Sequence, residues 1–143
     1  MLPFLRDHPA DPGRVHTDGR VTRVALETAR EQVAALFGAR PREVVFTATG
    51  TESVDAAIWG AIARAEADGP RLVVTTAIEH RAVLETARYL ESQGHALTVV
   101  PVRANGQVDP DELADALGPD VALVSVMAVN NEVGSIQPWN EVA

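Results

Sequence analysis

Cysteine is absent from this 143-residue chain, and so is lysine, because all 12 basic residues are arginine. Without a thiol the chain has no disulfide, no thiolate metal ligand and no nucleophilic sulfur. Without a lysine amine it forms no Schiff base of its own. No apolar run reaches the ~18 residues that a membrane-spanning helix requires. The opening "MLPFLRDHPADPGR" is too short and too charged for a secretory signal, so a cytoplasmic location is the expectation. Long blocks of one charge are missing too. A net charge of -8 and a pI near 4.9, spread along the chain, argue against nucleic acid and against an anionic membrane surface as partners. A small molecule or another protein is the expected partner.

What is present is the material of one ordinary domain: 46% hydrophobic residues, with no internal repeat and no low-complexity tract. Residues 1–20, punctuated by Pro9, Pro12, Gly13 and Gly19, read as an irregular lead-in. Residues 21–143 then alternate between two patterns. Val21 to Phe37 places Leu26, Ala29, Val33, Leu36 and Phe37 at helical spacing, with Gly38 as a stop. Val44 to Thr47 reads as a short strand, and a helix from Thr51 presents Val54, Ala57, Ile58, Ala61, Ile62 and Ala65 before an Asp68-Gly69-Pro70 stop. Further strands are expected at Arg71 to Thr76, Ala96 to Val100 and Val121 to Met127, with helices at His80 to Gly94 and from Asp109, where Pro110 follows an N-cap aspartate. Nearly continuous apolar strands, each followed by a helix or an ordered connection, predict an α/β fold with a mainly parallel sheet and helices on both faces. At the far end Pro138 reads as the first residue of another helix, which carries the expectation that this is the front part of a longer sequence.

Ligands of open α/β sheets sit beyond the C-terminal ends of the strands. Three segments fall there. "TATGTES" places Gly50 and Thr51 at a helix start, which suits either an anion held by free backbone amides or a plain turn with Thr51 as N-cap. It is not a P-loop, for want of the Gly-Lys pair, and not a dinucleotide fingerprint, for want of further glycines. His80 opens the next helix, either as a surface histidine or as a ring that stacks on a planar ligand and moves a proton. His8, His16 and His95 offer no metal-ligand spacing with it, so no metal site is expected. "AVNNEVG" is either an Asn-rich turn or a loop that presents an amide to a ligand, with Glu132 holding it.

The segments "REVVFTATGTESVDAAIWG", "TTAIEHRAVLETARYLESQGHALTVVPVRANGQVDPDELADAL" and "LVSVMAVNNEVGSIQP" resemble, in register from about Val21 onward, the NifS/IscS-like cysteine desulfurases of the class V aminotransferases. The resemblance implies a fold-type I transferase large domain, present in part over residues 21–143, that uses pyridoxal 5'-phosphate. It implies conversion of L-cysteine to L-alanine, with the sulfur passed through an enzyme persulfide to an acceptor or scaffold protein for iron–sulfur cluster or thio-cofactor assembly. It also implies a homodimer. By the same resemblance Gly50 and Thr51 bind the cofactor phosphate, His80 stacks on the pyridine ring and assists proton transfer, and Asn131 bonds near the cofactor's ring oxygen.

This chain departs from the family pattern at three places. The usual S-G-A-T-E-S is here Ala48, Thr49, Gly50, Thr51, Glu52 and Ser53, with the glycine moved one place toward the helix. The upstream N-P-S-S-x-H is matched only loosely by Asp11 to His16. The family's pyridine-pairing aspartate, its covalent lysine and its sulfur-carrying cysteine lie beyond the matched segments, so the chain by itself is expected to be inactive. Two other readings stand beside this one: a selenocysteine lyase or isopenicillin epimerase-like member of the same class, and a non-catalytic module that associates with a complete homologue.

Overall fold

The computed structural model describes residues 1–65 and 71–142, so the expected Asp68-Gly69-Pro70 stop lies outside the described residues. The chain forms two units, Met1–Thr47 and Ala48–Ala143.

In the first unit, the expected lead-in is partly helical. Helix α1 spans Leu2–Arg6, with Pro3 in its first turn, where a missing amide costs nothing. Helix α2 spans Thr17–Leu36 and starts four residues before Val21, because His16 Nδ1 accepts from the Gly19 amide at 3.2 Å and caps the first turn. Gly19 is buried, and a Cβ there would lie 2.7 Å from the Arg14 carbonyl oxygen and 2.8 Å from that of Asp11. The lead-in therefore packs directly onto the helix start. Of the apolar positions expected on the inner face of α2, Leu26, Ala29 and Val33 are half-buried, while Leu36 and Phe37 stay exposed.

Val44 to Thr47 is not a strand. A short 3-10 turn at Pro41–Glu43 leads into extended backbone at Val44, yet none of the described strands pairs with it. A β-strand exists through its ladder, and here the main chain is met by a side chain: the Arg30 guanidinium donates to the Val44 carbonyl and lies 5.2 Å from the centre of the Phe46 ring. Val45 remains exposed.

The second unit holds the sheet. Strands β1 (Leu72–Thr76), β2 (Ala96–Val100) and β3 (Val121–Ser125) are parallel in the order β2-β1-β3, with Thr76 level with Val100 and Thr75 level with Ser125. Successive side chains of a strand point to opposite faces. Accordingly Val73 packs with Ile58, Ile62, Val83, Ala87 and Leu90 on one face, and Val74 packs with Val100, Val108 and Leu113 on the other. The first face is covered by α3 (Gly50–Ala65) and α4 (Arg81–Ser92), the second by α5 (Pro110–Asp115) and the segment around Val108. This is the α/β arrangement expected, with helical cover on both faces. Asp109 caps α5 by accepting from the Asp111 amide at 3.1 Å, and Pro110 follows it as expected. A last short helix, α6 (Trp139–Val142), begins just after Pro138. None of the described helices is long and apolar enough to cross a membrane.

Helices α3 and α4 pack side by side. Thr86 Oγ1 donates to Asp55 Oδ1 at 2.5 Å, and the two residues stand five positions after Gly50 and five after Arg81. Helix α4 begins at the end of the sheet where β1 finishes. Among the side chains packed between the two helices, Leu90 of α4 and Ile62 of α3 are fully buried. Leu90→Ala is expected to lower stability by about 3 kcal/mol, whereas Glu91→Ala, on the exposed side of the same turn, should stay within about 0.5 kcal/mol. Chemical denaturation followed by circular dichroism checks both.

Candidate functional site

Parallel strands with crossover helices bring strand ends and helix starts to one edge, where backbone amides lack partners. At that edge a cleft of about 320 Å³ lies between the turn after β1 and the loop after β3, lined among others by Ile78, Glu79, His80, Asn130, Asn131 and Glu132. An apolar hollow of about 270 Å³ in the first unit, around Phe4, Leu5 and Leu26, has no ionisable side chain in its lining and offers no comparable chemistry.

His80 is the N-cap of α4, and its Nδ1 accepts from the Ala82 amide at 3.1 Å. With Nδ1 as acceptor, the neutral ring carries its proton on Nε2. The ring is exposed. Its capping bond fixes the ring at the mouth of the cleft and leaves Nε2 for a ligand.

Across the cleft the two asparagines divide the work. Asn130 is buried: its Nδ2 donates to the Ile78 carbonyl at 2.8 Å, and its Oδ1 accepts from the amides of Glu132 and Val133, each at 2.9 Å. Asn131, next to it, is exposed. Glu132 does not hold the loop as expected. Its side chain is exposed, and Asn130 makes the turn instead because an Asx side chain can accept from amides two and three residues on while its own amide group reaches the neighbouring strand end.

Below them lies a carboxyl. Glu79 is buried, and its Oε1 accepts from Thr76 Oγ1 at 3.2 Å and from the Met127 amide. Burial pushes its pKa up from the ordinary glutamate value, and the bonds from Met127, Thr76 and Ser125 offset part of that rise. Glu79 and Asn130 were not singled out as site residues in the sequence. A glutamate directly after a buried apolar strand, and the first of two adjacent asparagines, were the available signals.

Gly50 and Thr51 stand apart from this cleft, at the neighbouring helix start. The cap of α3 is Thr49, not Thr51: Thr49 Oγ1 accepts from the Glu52 amide at 3.1 Å, and Glu52 Oε2 accepts from the Ala48 amide at 2.7 Å. The spacing is that of a capping box, which needs a hydroxyl three residues before a glutamate, and Thr49 rather than Thr51 meets it. Gly50 and Thr51 become the first two helical residues, whose amides the helix itself does not use. Gly50 has no positive φ, and beyond its chain neighbours and its own helix backbone no atom lies within 4 Å of where its Cβ would be. Nothing in its own surroundings demands glycine, and the space beside it is open. Among the described residues no three acidic or histidine side chains come together as metal ligands.

Over residues 1–143 the chain matches the family described as Aminotransferase class-V. It is 43% identical over 143 residues to cysteine desulfurase IscS of Dictyoglomus turgidum, an alignment covering 100% of this chain and 36% of that protein. Against the cysteine desulfurase of Rattus norvegicus it is 46% identical over 143 residues, covering 99% of this chain and 32% of the relative. Among solved structures it superposes on a NifS-like protein with a TM-score of 0.89 at 40% identity, over 99% of this chain and 38% of that one. A structure described as SspA in complex with cysteine gives 0.88 at 35% identity, over 98% and 40%. The chain therefore spans about a third of the length of these curated relatives.

Two measurements test the local assignments. Thr49→Ala is expected to cost about 1 kcal/mol of stability, and Thr51→Ala less than about 0.5 kcal/mol; equal costs in denaturant melts would return the cap to Thr51. The raised Glu79 pKa sets a direction with pH. Folded Glu79 keeps its proton above the ordinary value of 4.5 at which the unfolded chain loses it, so in that window the folded state binds the extra proton. Its contribution is full below 4.5 and is lost as pH rises through the raised folded value. The stability of the wild type relative to Glu79→Gln should therefore fall as pH increases from about 4 to about 8, and a rise would reverse the assignment.

Proposed function

Because the chain belongs to the class V aminotransferase family, we propose that its Ala48–Ala143 unit is the cofactor-facing part of a pyridoxal 5'-phosphate domain of the cysteine desulfurase kind. The observation that carries this reading is the cleft joining His80 to Asn131 at the ends of β1 and β3, next to helix α4, which the Thr86–Asp55 bond ties to α3. The donor set fits the group. The amides of Gly50 and Thr51 and the positive end of α3 suit a phosphate, the imidazole of His80 offers a flat face to a pyridine ring, and the exposed amide of Asn131 suits a ring oxygen. The glycine with open space at the first helical position is where an anion can approach closest.

When bound, pyridoxal phosphate supplies an electron sink for bonds broken beside an amino group. This chain's own residues bind and orient. His80, held through Nδ1, presents Nε2–H to the cleft as a hydrogen-bond donor, and taking up a proton would require Nδ1 and release of the Ala82 cap. Lysine and cysteine are absent, so neither a covalent hold on the cofactor nor sulfur carriage on a thiol comes from this polypeptide. Production of L-alanine from L-cysteine, transfer of sulfur to an acceptor or scaffold protein, homodimer formation and a cytoplasmic location belong to the same proposal for an assembly that includes this chain. By itself the chain binds cofactor reversibly and does not turn over.

Fluorescence titration and equilibrium dialysis with pyridoxal 5'-phosphate test this. Wild type should bind, dialysis should remove the ligand completely, and borohydride should fix none of it beyond the N-terminal amine. His80→Ala and Asn131→Ala should each weaken binding about tenfold. Gly50→Ala should weaken it as well while raising stability by about 0.5 kcal/mol, since its backbone is compatible with alanine. Absence of binding by the wild type, or affinity indifferent to all three substitutions, rejects the proposal.

A further inference from the structure

A buried carboxyl that, among the described residues, pairs with no arginine needs a reason, because desolvation is costly unless its oxygens are well used. Glu79 is 9% exposed. Its hydrogen-bond donors come from two places in the chain: Thr76 is the last residue of β1, and Met127 lies two residues beyond Ser125, the last of β3. A second tie runs beside the first, from Asn130 Nδ2 to the carbonyl of Ile78, the residue before Glu79. The turn itself closes with the Glu79 amide donating to the Thr76 carbonyl at 3.3 Å. Residues 78 and 79 are thus each bonded to the loop after β3, and the very next residue is the histidine that caps α4.

We propose that Glu79 is the positioning residue of the cleft: one buried carboxyl oxygen gathers the ends of β1 and β3, and so sets where the His80 ring stands relative to the Asn130 and Asn131 loop. A carboxyl suits this task better than a hydroxyl because one oxygen takes two donors, Thr76 and Met127, and the group has lone pairs left. The charged and titratable groups nearby along the chain are His80 and Arg81 on its own turn and Glu132 across the cleft; none of them bonds to it. The bonds that hold it are to strand ends, which makes its role geometric. The inference concerns the chain's own loops, and only its ligand arm rests on the cofactor reading.

The test uses the 143-residue chain labelled with nitrogen-15, as wild type, Glu79→Leu, Glu79→Gln and Thr76→Val. Three readouts are taken: hydrogen exchange of the Met127 amide, the two ring-nitrogen shifts of His80, and affinity for pyridoxal 5'-phosphate. In wild type the Met127 amide should be protected and the His80 nitrogens well separated, as one acceptor and one N–H. Glu79→Leu should remove that protection, draw the His80 ring shifts together and weaken cofactor binding about tenfold, with exchange protection around Leu90 unchanged. Glu79→Gln, which keeps an acceptor of the same shape, should restore the ring shifts and recover affinity to within about threefold. Should Glu79→Leu fail to fold, Thr76→Val decides, and it should displace the His80 shifts. A His80 ring indifferent to loss of the carboxyl or its Thr76 donor overturns the proposal, as does an unprotected Met127 amide in wild type. If wild type binds no cofactor, the functional reading fails, while the exchange and ring-shift arms still judge the positioning role.

Discussion

Everything in the larger unit depends on β1 being hydrogen-bonded along both edges to parallel neighbours. Parallel partners cannot be joined by a tight turn, so each connection has to cross the sheet and return, and the crossing element is a helix that starts where a strand has ended. With β1 sealed on both edges, its side chains have only two places to go. Val73 and Thr75 point toward one face and Val74 and Thr76 toward the other, and all four are buried. The helices on each face are there because that apolar surface needs cover.

The same constraint creates the site. Helix starts carry amides without partners, and strand ends carry loops without a ladder, so polar side chains collect at one edge. The chain meets these demands with the side chains expected to do chemistry. His80 satisfies the first turn of α4 and still presents a free ring nitrogen, and Thr49 with Glu52 satisfies α3 and leaves Gly50 and Thr51 at its open end. Capping does not exclude a binding role at this edge, because a side chain that serves the helix with one atom is held still and leaves another atom exposed.

Legibility in the sequence followed the range of the interactions. β1, β2 and the cap of α5 were readable because an apolar run, or an Asp-Pro pair, states its own preference. Val44 to Thr47 has the same apolar look as a strand and is not one, since strand identity lies in a partner elsewhere in the chain, and here Arg30 meets the backbone instead. The lead-in hid its helix starts for a related reason. His16 was not an obvious cap, and the close approach of Gly19 to the Asp11 and Arg14 carbonyls cannot be read from spacing. In the site, His80 and Asn131 were legible as polar residues at strand ends, but the residues that hold them, Glu79 and Asn130, were not, because burial and cross-loop bonds are properties of the fold.

By itself the sequence determined the α/β alternation, the polar loops at the strand ends and the absence of any lysine or cysteine to act covalently, since each of these is a matter of residue type and local period. Only the tertiary structure decided that His80 and Asn131 share a cleft while Gly50 and Thr51 open a neighbouring helix, that Thr49 is the cap, and that a buried Glu79 clasps two strand ends. Those outcomes rest on hydrogen bonds as local as three residues and as distant as 48 or 52 residues along the chain. Local pattern constrains the first kind weakly and the second kind not at all.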